Sequence, residues 1–543
     1  MDRTTLRAGL LWGLAIALPA IAAIYALDLD VKRPVSEDGK LLLLALAAGW
    51  ALIWRWLPRR AAAVGLVLLA SASTANYLRW GPDALERKVD AYDLIHYYLN
   101  AKYFDELGYY DLYPAAIRAD HDNGGPFFPK EGNTYLAQNA AGHGWMPISH
   151  ALETGARVKE SRFTPERWAD FTHDFLYLQR NIPGMDDALW RQLIQDHGYN
   201  GTPVWTMLAR PIAEAVPVEW VKALGHIDLV VLAGGALALG WAYGAPTGAW
   251  VWLLLMTSYS TRWPMISWAF LRYDWLAALM VGMAVLRRGR PGLAGALTGL
   301  AATLRLFPAM WLAFPGIQGM FALRDGPRRK PLLVLAAGFV AAVLGLELIT
   351  AARLGAEPTR VHFENMLDHN STEQLSSRRI GLALALPFRG ELEPKLIDPA
   401  RKATIEEQKP LRFAIAGLAI AALGFGLRRK RPDEAFAYGF VPFFLLTTAS
   451  YYYYVARVTL WALHASALPR GRHAVGLAML IGTEVFANWA ERTHDGHRVF
   501  LIGGLSWGLA AYALVQIVWL LVEDRAEPAP ADAPGDAPVK GRD

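Results

Sequence analysis

Apolar residues run along this chain in blocks of about 15 to 25, separated by short basic or Pro/Gly-containing breaks. A helix needs roughly 20 such residues to cross about 30 Å of hydrocarbon. The pattern predicts spans near 8–28, 41–57, 61–79, 220–242, 247–260, 264–286, 331–352, 411–427, 434–450, 452–469, 473–488 and 499–521. The stretch 291–323 is too long for one crossing, and Arg305 and Pro308 interrupt it. It reads as a hairpin of two short helices, near 292–304 and 307–323. The expected fold is therefore an all-α polytopic membrane bundle of about 12–14 transmembrane helices.

Basic residues give the bundle a direction. Arg3 and Arg7, the triplet Arg55, Arg59 and Arg60, and Arg287, Arg288 and Arg290 fall on one side. So do Arg324, Arg328, Arg329 and Lys330, then Arg428, Arg429, Lys430 and Arg431, then Arg470 and Arg472, provided that 291–323 is a hairpin. Lys/Arg-rich loops stay in the cytoplasm. Both termini are then expected inside an inner (plasma) membrane, with the two long polar segments outside. The expected divisions are 1–79 (membrane helices), 80–219 (external, with an interfacial helix and an inserted subdomain) and 220–352 (membrane core). An external loop at 353–410, membrane helices at 411–524 and a disordered cytoplasmic tail at 525–543 complete them.

Composition narrows the classes. Of 543 residues, 54% are hydrophobic and 19% charged, and there is no cysteine. A disulfide scaffold, a cysteine-bound zinc and an iron–sulfur cluster are excluded. The net charge of +5 resides largely in the basic loops, so it argues for topology rather than nucleic-acid binding.

Candidate chemistry sits in the external segments. In DLIHYYLNAKYFDELGYYDLY (93–113), apolar and aromatic residues repeat at helical spacing. Asp90 and Asp93 lie three apart on one face, which His96 and Tyr97 continue. The same carboxylates could simply stabilise a first helical turn. Residues 119–200 read as a subdomain of short helices and loops. Its histidines His121, His143, His150 and His173 could join Asp120 or Asp122 in a metal site, but they have no recognised ligand spacing, and histidines in exposed loops are usually polar surface. The 353–410 loop carries His362, His369, Asn370 and the adjacent pair Arg378–Arg379, suited to a lipid phosphate or to interfacial anchoring. Arg305, Glu347, Arg272 with Asp274, Arg457 and Glu484 are charges at membrane depth, each a functional hypothesis by default. The tyrosines at 451–454 suit a sugar or an interfacial belt.

Four stretches in order resemble the GT-C superfamily of membrane glycosyltransferases, and within it glycosyltransferase family 87, the polyprenyl-phosphate-mannose-dependent mannosyltransferase-like proteins. They are DLIHYYLNAKYFDELGYYDLY, NGTPVWTMLARPIAEAVP, RGRPGLAGALTGLAATLRLFPAMWLAF and HNSTEQLSSRRIGLAL, within about 80–470. The chain departs from the family pattern in having three spans before Asp93, a large insertion at 119–198, and Arg305 where a lysine is common. The resemblance implies transfer of a hexose or pentose, mannose-like favoured, from a polyprenyl-phosphate donor to an envelope glycan or glycolipid at the external face. It implies Asp93 as general base, with Asp90 as second choice. Arg305, Arg378 and Arg379, supplemented by His369, would hold the donor phosphate, and His96, Tyr97, Asn370 and Tyr453 the sugar or acceptor. No cofactor, metal or nucleic acid is implied. A lipid or glycan transporter or flippase, expected to show a two-fold repeat of spans and midplane substrate groups, and a non-catalytic envelope-assembly protein are the alternatives.

Overall fold

A computed structural model describes residues 3–32, 38–78, 93–125, 134–139, 142–181, 190, 192–196, 198–261, 269–369, 378–393, 398–494 and 496–526. The uninterrupted apolar runs become helices: α1 (Arg3–Lys32), α2 (Asp38–Ile53) and α3 (Arg59–Tyr77) at the N-terminal end. Short helices follow, then α4 (Leu112–Asp122), α5 (Ile148–Arg162), α6 (Pro165–Asn181) and α7 (Pro203–Ala215). The central helices are α8 (Ile227–Tyr243), α9 (Ala245–Thr257), α10 (Asp274–Arg287), α11 (Pro291–Leu304), α12 (Ala313–Phe321), α13 (Gly326–Leu354) and α14 (Glu357–His369). The last are α15 (Lys409–Leu427), α16 (Val458–Ala465), α17 (Gly471–Thr493) and α18 (Arg498–Ala526).

Five helical stretches are long and apolar enough to cross a membrane: Asp38–Trp56, Val218–Tyr243, Gly326–Leu354, Lys409–Leu427 and Arg498–Glu523. Apolar helices of 10–17 residues at Leu11–Ala26, Ala245–Thr257 and Pro291–Leu304 accompany them. Helix α13 makes the solvent argument most sharply. Only 6% of its most apolar window is buried inside the protein, and Leu333, Leu344, Leu348 and Ile349 face outward. Such a surface in water would forgo about 25 cal/mol for each Å² left unburied. Lipid removes that cost.

The remaining expected spans are shorter or broken, and the breaks have physical causes. Helix α11 stops at Leu304, Arg305 is extended (φ −150°, ψ 125°), and a 3-10 turn at Phe307–Leu312 leads into α12. The expected 434–450 span is two pieces, Pro432–Ala437 and Phe440–Leu446. Between them a Cβ on Gly439 would overlap the Trp311 backbone. The expected 452–469 span begins as a 3-10 segment, Tyr451–Arg457, before α16. Irregular backbone at membrane depth is tolerated where protein surrounds it. Trp311, Phe443 and Tyr454 at these breaks are fully buried.

Close helix contact is arranged by small residues. A Cβ on Gly295 of α11 would overlap the Leu335 carbonyl of α13, and one on Gly338 of α13 would overlap the Gly292 carbonyl. This is the small-residue packing that membrane helices use in place of a hydrophobic driving force. Arg457 and Glu484, both fully buried, form an ion pair at 2.7 Å. Glu484 also accepts from Ser258 Oγ (2.9 Å) and the Tyr259 N–H (2.7 Å), and Arg457 donates to Thr483 Oγ1 (2.8 Å). These buried charges are thus satisfied as a clamp that fixes the 451–457 segment against α9 and α17.

The fold is mostly helical, as expected, with two small antiparallel pairs that the pattern did not announce. Strands β1 (Thr134–Asn139) and β2 (Gly142–Pro147) form a hairpin in the 119–200 region. Strands β3 (Arg379–Ile380) and β4 (Ala449–Ser450) tie the late polar loop to the tyrosine run. The 93–122 segment is a π-helix at Leu94–Leu99 followed by short helices, rather than one continuous helix. It is buried beneath α5–α7, with Leu94, Ile95, Tyr98, Leu99 and Tyr103 fully covered. Lys102 pairs with Asp174 of α6 at 2.6 Å and Arg167 of α6 with Glu106 at 2.7 Å. Phe163, Trp168, Phe171 and Phe175 pack ring on ring above Tyr103.

Candidate functional site

Asp93 opens the π-helix and is 95% covered, with its carboxylate ion-paired to Arg272. Arg272 is held by its backbone. Asp228, in the first turn of α8, accepts the Arg272 N–H (3.1 Å) and the Tyr273 N–H (3.0 Å). The Trp275 indole donates to the Arg272 carbonyl (2.9 Å), and the Trp205 indole to the Leu271 carbonyl (3.1 Å). Leu271 itself lies at φ +52°, a left-handed conformation that is costly for a side chain of its size. Such strain persists where the surroundings over-determine it, and here four side-chain hydrogen bonds do so.

The π-helix decides which neighbours Asp93 has. Its i→i+5 bonds turn the chain less per residue than an α-helix. The third residue after Asp93 is carried off its face while the fourth stays. His96 accordingly turns into the protein and bonds Tyr113 Oη through Nε2 at 2.7 Å. Tyr97 keeps Asp93's side and donates to Asn200 Oδ1, with its ring edge-on to Tyr199 (5.8 Å) and Trp205 (5.3 Å).

Arg305 faces the same place from the break after α11. Its Nη1 donates to the Leu304 carbonyl at 2.9 Å, and its Nε is covered without a hydrogen-bond partner among the described residues. No carboxylate among those residues pairs with it directly. Within its electrostatic reach are Tyr97, Tyr452, Tyr453 and Asp274, and also Tyr199 and His362. Burial, with Arg305 nearby, pushes His362 down to about 4, so its imidazole is neutral at physiological pH. Tyr453 packs tilted against Tyr452 (4.4 Å) and edge-on to Phe307 (5.2 Å), and the Arg272 guanidinium lies 5.1 Å from the Tyr452 ring.

The adjacent arginines part where β3 begins: Arg379 is its first residue and Arg378 lies in the turn before it. Arg379 is buried, donates to the Thr448 carbonyl at 3.0 Å, and lies near Tyr452, Tyr453 and Tyr454. Arg378 is exposed, and its carbonyl accepts the Tyr451 N–H at 2.8 Å. The structure therefore gathers Asp93, Tyr97, Arg305, Arg379 and Tyr453 from four distant stretches of chain, and turns His96 and Arg378 elsewhere. Asp90, Asn370 and the side chain of His369 lie outside the described residues. Arg272, Asp274, Tyr199, Asn200 and His362 join the site without having been assigned to it. An Arg-Tyr-Asp triplet inside an apolar run was the available signal for the first two.

Among the described residues no three His, Asp or Glu side chains are grouped to hold a metal ion. His150 instead bonds Tyr135 Oη at 2.8 Å. No family model, curated protein or solved structure matches the chain.

Proposed function

We propose that the chain is a membrane glycosyltransferase that moves a sugar from a polyprenyl-phosphate donor to an envelope glycan or glycolipid, as the GT-C resemblance implies. The observation that carries this reading is the convergence of the Asp93 carboxylate and several arginines on a tyrosine-lined site next to apolar helices. In the proposed reaction Asp93 accepts the proton of the acceptor hydroxyl as that oxygen bonds to the anomeric carbon. The bond from the anomeric carbon to the phosphate oxygen breaks, and polyprenyl phosphate leaves with the electron pair. Arg305, with its uncommitted Nε, and Arg379 neutralise the departing phosphate. A donor phosphate also competes for Arg272, which would release the Asp93 carboxylate when donor is bound. Tyr97 and Tyr453 offer ring faces and hydroxyls to the sugar.

In this reading the basic loops lie in the cytoplasm, about 12–14 helices and half-helices traverse the membrane, and the 119–200 subdomain is external. The test is sugar transfer in proteoliposomes loaded with a polyprenyl-phosphate sugar. Asp93→Asn is expected to abolish transfer while the thermal unfolding midpoint in detergent stays near that of the wild type. Full activity in that variant removes Asp93 from the mechanism.

A further inference from the structure

The far ends of α8 and α10 meet at a second polar place, remote from Asp93. Asp228 and Asp274, near the starts of these helices, belong to the candidate site. Tyr243 and Arg287, at their ends, line a cavity of about 470 Å³. With 1.5 Å of rise per residue, the two places are about 20 Å apart along the helices. Arg431, Asp433, Arg470 and His473 complete the wall that matters here.

The charges in this cavity do not cancel. Asp433 is buried, and three groups share it: Arg431 Nε (2.9 Å), Tyr243 Oη (2.9 Å) and Arg287 Nη1 (3.5 Å). Glu434 is taken by Arg472 at 2.6 Å, and Glu523 by Arg472 (3.1 Å) and Lys430 (3.4 Å). Arg470 is exposed at the mouth, and among the described residues no carboxylate pairs with it. Among the described residues that line the cavity, three arginines (Arg287, Arg431 and Arg470) face two carboxylates (Asp433 and Glu434), leaving one positive charge over. A phosphate group carries a complementary charge.

His473 adds a fixed hydrogen-bond direction instead of charge. Arg472 can only donate, so His473 Nε2 (3.2 Å away) accepts and the His473 proton sits on Nδ1. That N–H donates to His464 Nδ1 (3.2 Å), which leaves His464 Nε2–H to donate to Tyr512 Oη (2.7 Å). The relay holds both rings neutral beside the cavity. Helix α17 begins at Gly471 next to Arg470, so the positive end of a 23-residue helix opens at the same wall.

We infer that this cavity is a phosphate-binding site, occupied by the phosphate of an anionic lipid headgroup or by free phosphate. Its volume falls within the roughly 300–1,000 Å³ of small-ligand sites, and guanidinium groups on two sides suit forked contacts to phosphate oxygens. The inference stands on the cavity itself and is independent of the transferase reading.

The test uses the purified full-length chain in detergent and follows binding of phosphatidylglycerol, phosphatidylcholine and inorganic phosphate by native mass spectrometry and titration calorimetry. Preferential retention of phosphatidylglycerol over phosphatidylcholine, weakened about tenfold by Arg470→Gln, identifies the lipid headgroup. Binding of inorganic phosphate alone, weakened to the same degree, identifies the free anion. Arg287→Gln is expected to act in the same direction, whereas Arg353→Gln, the same charge change in the last turn of α13, which does not line the cavity, is expected to change nothing. Arg470 is exposed, so its variant keeps the test valid if Arg287→Gln loosens the fold. Equal retention of both lipids without phosphate binding overturns the inference, as does binding that Arg470→Gln leaves unchanged.

Discussion

Arg305 is the residue on which the site's electrostatics turn. It stands at a backbone break, bonds its neighbour's carbonyl, and keeps a covered Nε without a partner among the described residues. A buried polar group left in this way is costly unless another group takes it up. Under the proposed mechanism Arg305→Met is expected to lower kcat/KM for the polyprenyl-phosphate donor by about 100-fold, the scale of losing one preorganised donor to a developing anion. Arg305→Lys keeps the charge but loses the fork, and is expected to fall between the two in the same assay. His362 gives a pH signature. Its folded value is depressed from an ordinary 6.5 to about 4, so between these the unfolded chain binds more protons. Stability therefore falls as pH drops from about 6.5 towards about 4 and is level on either side of that window. His362→Gln is expected to flatten this part of a melting-temperature profile measured from pH 7.5 to pH 4.

At the scale of elements, two contacts carry the geometry that brings Arg305 and Arg272 together. The α11–α13 contact sets where α11 ends, and it depends on backbone meeting backbone at Gly295. Gly295→Val would drive a branched side chain into the Leu335 carbonyl, and a destabilisation of about 1–3 kcal/mol is expected, read as a lower unfolding midpoint. The other contact is Asp228 with the 271–273 backbone. Asp228→Asn keeps one acceptor oxygen and loses the second, so one of the two N–H groups goes without its partner. Transfer activity is expected to fall while donor variants at Arg305 remain additive with it, since the two side chains share no bond. Much of this level was legible beforehand: the break at Arg305 and most helix boundaries follow from apolar run length and Pro/Gly placement. The π-helix after Asp93 was not, because local spacing cannot distinguish i→i+4 from i→i+5 closure, and that difference moved His96 out of the site.

For the whole molecule, the absence of cysteine makes orientation directly measurable. Single substitutions Glu153→Cys in α5 and Arg328→Cys at the start of α13 are exposed probes at the proposed outer and inner faces. A membrane-impermeant maleimide is expected to label the first in intact cells and the second only after permeabilisation. Labelling of the second in intact cells and of the first only after permeabilisation would reverse the orientation on which the external site depends. The run of apolar residues alone determined that the chain is helical and lipid-seeking, since apolar content and its spacing are properties of the sequence. The sequence also marked Asp93, Tyr97, Arg305, Arg379 and Tyr453, because charged and aromatic residues beside apolar runs are conspicuous. Which of them meet was decided only in three dimensions. Arg378 and Arg379 are neighbours in sequence, yet Arg379 is buried at the start of β3 while Arg378, in the turn before it, is exposed. Asp93 and Arg272 are 179 positions apart and touch. Arg457 and Glu484 are charges as conspicuous beside apolar runs as Arg305, yet they neutralise each other at 2.7 Å. Pairing over such separations depends on how helices pack, and packing depends on where each glycine lets two backbones approach.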